Sequence, residues 1–273
     1  MKRPQSRGLC DAHRLQPPAL FRLSLCLAAI LLAAHASLSF SQRRCAAAGA
    51  GGGAAKARAP RRPCPSCPAP VPVFGSREDL GALLELEFPG GAGVELGVQR
   101  GEFAAATLRG WPNCSRFVLV DVWAHLPNYE DLANLDDTAQ DGIMHRALEA
   151  VAPWRDRVVI CRNLTTHCAS RFPDASFDFV YVDARHDRVG VTEDLEMWWP
   201  KARRGALFCG HDFVTQQEGP AQSGQRWDVN ADGSVDPTGR AVRGAVEDFA
   251  ARKARQIQVS YKESYYWTWC MRR

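Results

Sequence analysis

Acidic residues are almost absent from the first 77 residues of this 273-residue chain, where Asp11 is the only one beside 12 lysines and arginines. The remaining residues carry 29 acids against 22 lysines and arginines, so the net charge of +4 arises in the N-terminal arm. A mildly acidic folded region lacks the basic surface with which proteins bind nucleic acid. We therefore expect no nucleic-acid partner.

The ten cysteines lack the regular spacing of a disulfide framework, so the sequence does not predict a disulfide-stapled scaffold. Cys64 and Cys67 form one C-x-x-C pair, which could be a redox or zinc element. No second pair follows at zinc spacing, and no strand–helix pattern surrounds the first. We interpret both as cysteines of an Ala/Gly/Pro/Arg-rich linker over residues 43–72, paired with each other or between chains.

The N-terminal arm has the order of a membrane-targeting segment. Residues 1–22 are basic, and residues 23–42 are uncharged and long enough to span a bilayer. Ala34-His35-Ala36 also fits a signal-peptidase site. We predict a signal anchor or a cleaved signal peptide, hence a type II membrane protein with a Golgi or ER lumenal domain, or a secreted protein. An organelle transit peptide is the alternative, and the sequons at Asn113 and Asn163 favour the lumen.

From residue 73 onwards, apolar runs alternate with helical patterns. Strands are predicted at 93–98, 116–122, 157–161, 177–183 and 205–209, and a closing hairpin at 256–261 and 265–269. Helices are predicted at 77–86, 102–108, 131–151, 165–172, 189–199 and 241–253. Uniformly apolar strands that are each followed by a helix are typical of an α/β fold, with a parallel sheet covered by helices on both faces.

Four of these strands end in or near a polar or acidic residue. These residues are Glu95, Asp121, Asp183 and the pair His211-Asp212. Because the carboxyl ends of parallel strands meet at one edge of a sheet, where ligands bind in such folds, we expect these side chains to share a site.

The turn after the first strand contains Gly97 and Gly101 but lacks the middle glycine of the dinucleotide pattern G-x-G-x-x-G. Glu95 beside this turn would repel a pyrophosphate at the following helix end. Asp121, about 20 residues further on, is placed to accept hydrogen bonds from a ribose diol. A ligand with hydroxyls and a positive centre suits this site, so we predict S-adenosylmethionine (SAM) rather than a nicotinamide cofactor.

Asp183, His211 and Asp212 would converge if the fourth and fifth strands are neighbours. Carboxylates in a dry site repel each other unless a cation joins them, and oxygen ligands with one imidazole suit Mg²⁺ or Mn²⁺. Such an ion could bind a substrate hydroxyl and lower its pKa. His186, three residues after Asp183, could remove the proton. The alternatives are a surface histidine at 186 and a loop-capping histidine at 211.

Residues 178–187, 198–200 and 205–213, together with Asp194-Leu195, resemble methyltransferase family 24 and, more distantly, catechol and macrolide-sugar O-methyltransferases. Residues from about 73 to 270 look like a class I SAM-dependent methyltransferase. The resemblance implies a Rossmann-like sandwich whose seven-stranded sheet is mostly parallel, with an antiparallel hairpin at the C-terminal end.

The same resemblance implies roles for individual residues. It places SAM on Glu95, Gly97, Gly101 and Asp121 with Asn163 near the adenine, and a divalent ion on Asp183, His211 and Asp212. His186 stands where the catechol enzymes have a lysine base, and His211 stands where a carboxylate is usual. The expected function is SAM-dependent O-methylation of a hydroxyl on a small molecule or glycan. The alternative is a non-catalytic protein of this fold that binds a partner in the secretory lumen.

Two further segments carry weaker patterns. Residues 228–236 follow the calcium-loop spacing D-x-N-x-D-G-x-x-D, but Gly239 stands at the twelfth position, where a glutamate is expected. We interpret the polar insertion 214–239 as a solvated turn or as a lid over the acceptor site. Residues 265–269, rich in tryptophan and tyrosine, are predicted to pack an outer strand, and stacking on an acceptor is the alternative.

Overall fold

The computed structural model describes residues 69–260 and 266–273. The predictions for the basic, apolar and linker segments of the arm, including the C-x-x-C pair, lie outside these residues. Within the described residues, no helix is both long enough and apolar enough to cross a membrane.

Within residues 69–260 and 266–273, seven strands form one sheet. They are β1 Ala92–Leu96, β2 Arg116–Asp121, β3 Val158–Arg162, β4 Phe177–Val182, β5 Ala202–Gly210, β6 Gln258–Val259 and β7 Trp269–Arg272. Their order across the sheet is β3-β2-β1-β4-β5-β7-β6. The first five strands run parallel, and β7 is antiparallel to both β5 and β6. The predicted fold class, a mostly parallel seven-stranded sheet with a C-terminal antiparallel hairpin, is confirmed.

In the part of the chain that the structure describes, six α-helices accompany the sheet. They are α1 Leu80–Glu87, α2 Glu102–Gly110, α3 Asp137–Val151, α4 Thr165–Ala169, α5 Arg188–Trp198 and α6 Ala241–Lys253. The prediction of helix from residue 131 was wrong, because the Asp136 side chain caps α3 by accepting a hydrogen bond from the Ala139 N–H. The preceding loop is ordered instead by Asn134, whose side chain binds backbone groups of Leu126 and Tyr129.

The core lies on both faces of the sheet. One cluster contains Val94, Val118 and Val180, and the other contains Phe117, Leu119, Phe179 and Tyr181. Successive residues of a strand point to opposite faces, so both clusters draw on the same strands. This explains why the strands are apolar throughout rather than alternating.

The C-terminal hairpin is placed differently from the prediction. Residues 265–269 were expected to pack an outer strand, but β7 begins at Trp269 and lies between β5 and the outermost strand, β6. Trp269 is fully buried, and its indole N–H donates to the His211 carbonyl. The interior position of β7 explains its burial on both faces.

Two disulfides, Cys161–Cys168 and Cys209–Cys270, were not predicted from cysteine spacing. The first joins the end of β3 to α4. The second joins directly opposed residues of β5 and β7. Sheet register, rather than distance along the chain, brings these last two cysteines together.

The chain order reverses across the sheet at β1. From β1 the chain builds β2 and β3 on one side, and it then returns to add β4 and β5 on the other. In an open parallel sheet, such a switch point leaves a crevice beyond the carboxyl ends of the two central strands, and ligands bind there.

Candidate functional site

A cavity of about 310 Å³ opens at this crevice. Eight of the nine predicted site residues line it: Glu95, Gly97, Asp121, Asn163, Asp183, His186, His211 and Asp212. Gly101 lies outside the lining. The structure therefore brings together residues from five different strands and the loops that follow them.

The two predicted glycines serve the packing of the protein itself. Gly97 has φ +81°, and a Cβ there would lie 1.8 Å from the Asp183 carbonyl oxygen. Gly101 has φ +74°, and its Cβ would lie 3.1 Å from the backbone of Ala147 in α3. Gly97 allows the turn after β1 to pack against the loop after β4, and Gly101 allows α2 to begin close to α3.

Asp121, at the end of β2, holds the glycine turn. Its Oδ2 accepts hydrogen bonds from the N–H groups of Val98 and Gln99 at 2.8 and 2.9 Å. Its Oδ1 accepts from the Trp123 N–H at 2.8 Å. A carboxylate offers about four acceptor positions, so three are committed to backbone and one is left for a ligand hydroxyl.

Glu95 lies on β1 with only 2 % of its surface exposed. Its Oε2 has no hydrogen-bond partner among residues 69–260 and 266–273. Burial raises the pKa of this carboxyl well above its usual value, and the nearby charges of Asp183 and Asp121 raise it further, whereas Arg77 opposes them. A buried, unpartnered carboxyl oxygen at the cavity wall suits a ligand that donates hydrogen bonds or carries positive charge.

Asn163 connects β3 to the wall of the cavity. Its backbone N–H donates to the Asp121 carbonyl at 3.0 Å, and its Oδ1 accepts from the Leu164 N–H at 2.8 Å. The Cys161–Cys168 disulfide closes the segment that contains it. The loop that carries Asn163 is therefore fixed at both ends.

The residues after β4 and β5 form a charged cluster. Because Val182 pairs with Gly210, Asp183 and Asp212 are neighbours. Ligand atoms of Asp183, His186 and Asp212 all lie within 4.8 Å of one another. The His186 Nε2 is 2.9 Å from Asp212 Oδ2 and 3.6 Å from Asp183 Oδ1.

His211 does not join this group of three. Its Nδ1 lies 3.2 Å from Asp212 Oδ1, on the other side of that carboxylate from His186. Although burial alone would raise the pKa of Asp212, the two histidines hold it well below its usual value. Burial, with the charge of Asp212, raises the pKa of Asp183. The three-residue group thus differs from the predicted metal set, with His186 in place of His211.

Residues far along the chain orient His186. Its Nδ1 lies 3.0 Å from Asp131 Oδ2 and 3.1 Å from the Tyr129 hydroxyl. The Trp227 indole N–H donates to the same Asp131 oxygen at 2.7 Å, and its ring lies 4.2 Å from the imidazole. Burial favours a neutral imidazole, but Tyr129, Asp212 and Asp131 outweigh it and hold the His186 pKa well above its usual value.

Residues 94–213 match the sequence pattern of methyltransferase family 24, described as a methyltransferase domain. This stretch runs from β1 to the residue after Asp212 and so includes every predicted site residue. Residues 94–213 form a methyltransferase domain. The resemblance to class I SAM-dependent methyltransferases is confirmed over this part of the chain.

Solved structures share the fold of the methyltransferase domain. A candidate O-methyltransferase of Nostoc punctiforme is 12% identical with a TM-score of 0.51, over 72% of this chain and 55% of that chain. An O-methyltransferase of Bacillus cereus in complex with SAH is 18% identical with a TM-score of 0.48, over 72% and 80%. Human N-acetylserotonin methyltransferase in complex with SAM is 14% identical with a TM-score of 0.45, over 72% and 51%. No curated protein matches the sequence.

In the calcium-like segment, residues 228–236, each acidic side chain binds a nearby residue of its own. Asp228 is paired with Arg226, Asp232 accepts from Ser234, and Asp236 accepts from Thr238. The insertion packs instead against the loop before α3, where the Arg226 N–H donates to the Glu130 carbonyl at 2.9 Å. This packing places the Trp227 ring against His186.

Four residues of the site were missed from the sequence: Arg77 and Tyr129, which line the cavity, and Asp131 and Trp227, which contact His186. Arg77 precedes the first strand, Asp131 lies in a stretch predicted as helix, and Tyr129 lies just before that stretch. Only Trp227, inside a segment considered as a lid, had a sequence signal that pointed to the site.

Proposed function

We propose that this methyltransferase transfers the methyl group of SAM to a hydroxyl of a small molecule or glycan, assisted by a divalent cation. The observation that carries the proposal is the group formed by Asp183, His186 and Asp212 in the same cavity as Glu95 and Asp121. One end of the cavity suits a donor with hydroxyls and positive charge. The other end suits activation of an oxygen nucleophile.

The carboxylates of Asp183 and Asp212 fit a divalent cation. They are mutually repulsive in a low-dielectric site, and their oxygens are the ligands that Mg²⁺ and Mn²⁺ prefer. When bound, the ion would hold the acceptor hydroxyl and lower its pKa. His211 flanks Asp212 and keeps that carboxylate ionised and oriented.

We assign His186 the role of proton acceptor once a bound cation offsets the carboxylate charge that otherwise raises the His186 pKa. Mg²⁺ prefers oxygen to imidazole, so two carboxylates can hold it while the Nε2 of His186 stays available. Asp131, at Nδ1, fixes the ring with Nε2 towards Asp183 and Asp212. In this assignment the acceptor hydroxyl loses its proton to Nε2 as its oxygen forms a bond to the methyl carbon, whose bond to sulfur breaks. Positioning of the two reactants supplies most of the rate.

Manganese binding separates these roles. Electron paramagnetic resonance of Mn²⁺ should show binding by wild-type protein and loss of it in Asp212→Asn. His186→Gln should retain Mn²⁺ and lose activity, whereas His211→Gln should weaken both only partly. Loss of Mn²⁺ from His186→Gln would make that residue a ligand, and full activity of Asp212→Asn in EDTA would remove the cation from the mechanism.

Acceptor screening tests the reaction class. We expect SAM-dependent methylation within a panel of sugars, catechols and phenols, with more product in Mg²⁺ than in EDTA. Hydroxyl methylation is identified by mass and fragmentation of the product. Transfer only to amines or thiols offered in the same panel would contradict the proposal.

We further propose that the domain works in the secretory lumen, as an anchored type II or secreted protein. The disulfides Cys161–Cys168 and Cys209–Cys270 support an oxidising compartment, and the arm has the charge order of a signal anchor. Asn113 is exposed on the loop after α2, whereas Asn163 lines the cavity.

Glycosylation tests this location. Expressed in secretory cells, the protein should lose mass with peptide N-glycosidase F, and Asn113→Gln should abolish the shift, whereas Asn163→Gln should not. Protein that remains in the cytosol or enters mitochondria, with no shift, would contradict the proposal.

A further inference from the structure

Three arginines lie at the edge of the sheet opposite the cavity. Arg204 is near the start of β5, Arg273 directly follows β7, and Arg255 follows α6. The Gly205 N–H donates to the Arg273 carbonyl at 2.9 Å, so the first two arginines lie on adjacent strands. Because β5 ends at the cavity, its beginning lies at the far edge of the sheet, and none of the three arginines lines the cavity.

Two of these arginines contact one buried aromatic ring. The guanidinium carbons of Arg273 and Arg255 lie 5.0 and 5.9 Å from the centre of the Trp199 ring. Trp199 is 5% exposed, and the rings of Phe208 and Phe249 pack edge-on against it. The Arg273 Nε also donates to the Trp199 carbonyl at 2.9 Å. The ring therefore helps to hold both guanidinium groups in place without a ligand.

No carboxylate neutralises the three arginines. Within residues 69–260 and 266–273, Arg204, Arg255 and Arg273 form no ion pair. The neighbouring cations in the chain, Lys201 and Arg203, are each paired with an aspartate, at 2.8 and 2.6 Å. The uncompensated positive charge on this edge is thus confined to the three arginines around Trp199.

Repulsion among the three positive charges affects the pKa of Arg273. Burial lowers this pKa, and the charges of Arg255 and Arg204 lower it further, while Asp174, itself paired with Lys201, opposes them only in part. The Nε of Arg255 is buried and has no hydrogen-bond partner in the part of the chain that the structure describes. A buried donor without an acceptor, beside cations without a counter-ion, indicates an anion-binding site.

The number of cations favours a tetrahedral ester over a carboxylate. A carboxylate has two oxygens and fits one guanidinium fork, whereas a sulfate or phosphate ester has three terminal oxygens, one for each arginine. A nucleic acid would need a longer basic surface, and the neighbouring cations on this edge are already paired. A single ester group therefore matches the cluster best.

We propose that Arg204, Arg255 and Arg273 bind a sulfate or phosphate ester group on the side of the domain opposite the cavity. The site goes beyond methyl transfer, because none of its residues lines the cavity, and its occupation depends neither on the methyl donor nor on the acceptor. A sugar sulfate and a sugar phosphate are two sources of this group, and the experiment separates them.

Arginine side-chain NMR locates the binding. The basic arm also attracts anions, so the measurement must report on the three arginines themselves. In the whole chain with ¹⁵N-labelled arginine, N-acetylglucosamine 6-sulfate or glucose 6-phosphate should shift the Nε–H signals of Arg255 and Arg273, which are assigned by their loss in Arg255→Gln and Arg273→Gln. The lower Kd identifies the preferred ester. Glucuronate, with one planar carboxylate, should bind at least about 5-fold more weakly.

The exposed member of the cluster gives the decisive variant. Arg204→Gln should weaken binding of the preferred ester about 3–10-fold, measured from the Arg255 and Arg273 signals, because it removes one of three positive charges. Arg252→Gln is the matched control, because it makes the same substitution three residues before Arg255, at an arginine that is paired with Glu196 at 2.8 Å. It should leave the Kd unchanged.

Several results would overturn the proposal. They are an absence of shifts at Arg255 and Arg273 with both esters, an equal affinity for glucuronate, and an unchanged affinity in Arg204→Gln. Equal weakening in Arg252→Gln would also contradict it, since overall charge rather than the cluster would then set the affinity. None of these outcomes bears on methyl transfer, which is tested separately at the cavity.

Discussion

In the donor half of the cavity, which lies at the ends of β1, β2 and β3, the polar side chains that follow from β2 and β3 bind backbone groups. Asp121 accepts three backbone N–H groups, and Asn163 accepts one. In the acceptor half, at the ends of β4 and β5, polar side chains bind one another. There Asp131, His186 and Asp212 form a continuous chain of charged groups.

The difference separates residues that fix the path of the backbone from residues that carry the reaction. Hydrogen bonds to backbone fix the path of the chain, so substitutions in the donor half should cost stability together with donor binding. Charged groups that neutralise one another leave the path of the chain unchanged, so substitutions in the acceptor half should mainly cost turnover. Each prediction below tests one side of this distinction.

The largest effect is expected where backbone from the two halves meets. Gly97→Ala puts a Cβ 1.8 Å from the Asp183 carbonyl oxygen at φ +81°. Neither backbone can move without disturbing a strand end, so we expect a loss of about 4 kcal/mol or more in the free energy of unfolding, measured in urea.

Gly90→Ala is the matched control. Gly90 has φ +77°, but its Cβ would meet nothing within 4 Å. Only the cost of the left-handed conformation, about 1–2 kcal/mol, should appear. Equal losses in the two variants would mean that the contact between the halves does not set the position of the turn.

The two disulfides stabilise opposite halves to different extents. Cys209 and Cys270 are 61 residues apart, and Cys161 and Cys168 are 7 apart. Because a longer closed loop restricts the unfolded chain more, replacing the first pair by alanine should cost ~4 kcal/mol and replacing the second ~2.5 kcal/mol.

The buried free thiol Cys114 provides the control for lost packing. Cys114→Ala should cost about 1 kcal/mol and be insensitive to reductant. Reductant should reproduce the losses of the two disulfide variants in the wild-type protein. A larger loss from the short pair would show that restriction of the unfolded chain is not the main source of the stabilisation.

Much of the donor half could be predicted from local sequence. Glu95, Gly97 and Asp121 belong to a strand–turn–helix–strand unit, and β1 through β5 are marked by apolar runs that follow from burial on both faces. The bounds of α6 were predicted without error. Where structure depends on neighbours along the chain, local patterns are sufficient.

The acceptor half depends on contacts that no local pattern shows. Asp131 lies 55 residues before His186, and Trp227 lies 96 residues after Asp131. These partners are set by how two loops pack over the strand ends. His211 was predicted as a metal ligand and stays a prediction, whereas the group whose ligand atoms lie within 4.8 Å of one another contains His186.

Asp194, a buried acid in α5, tests whether a charge outside the cavity affects stability without affecting donor binding. Asp194 in α5 is 2% exposed, and burial raises its pKa to about 7 despite a hydrogen bond from Thr165. Because the folded pKa exceeds the unfolded value near 3.8, stability is full at low pH and falls as pH rises through 7. Between pH 5 and pH 9, wild type should lose about 3 kcal/mol relative to Asp194→Asn.

Urea titrations at several pH values measure this loss. Asp194→Asn should be the more stable protein at pH 9, with its affinity for S-adenosylhomocysteine (SAH) unchanged. Glu149→Gln, at an exposed position of α3, is the control and should follow wild type. A wild-type stability that rises between pH 5 and pH 9 relative to Asp194→Asn would contradict the burial argument.

The smallest effect on free energy is expected at Asp131, and it should appear in turnover rather than in folding. Asp131→Asn keeps the size of the side chain but removes the charge that fixes His186 through Nδ1, so kcat should fall about 10–100-fold. SAH affinity should stay close to wild type, because the donor half is not altered, and the unfolding free energy should fall only slightly, because Asn keeps an oxygen for the Ala133 N–H. Glu130→Gln, whose backbone carbonyl rather than its side chain joins the insertion, should keep full turnover. If Asp131→Asn instead weakened SAH binding with kcat intact, the two halves would not be separable, and the charged cluster would have to be treated as part of the donor site.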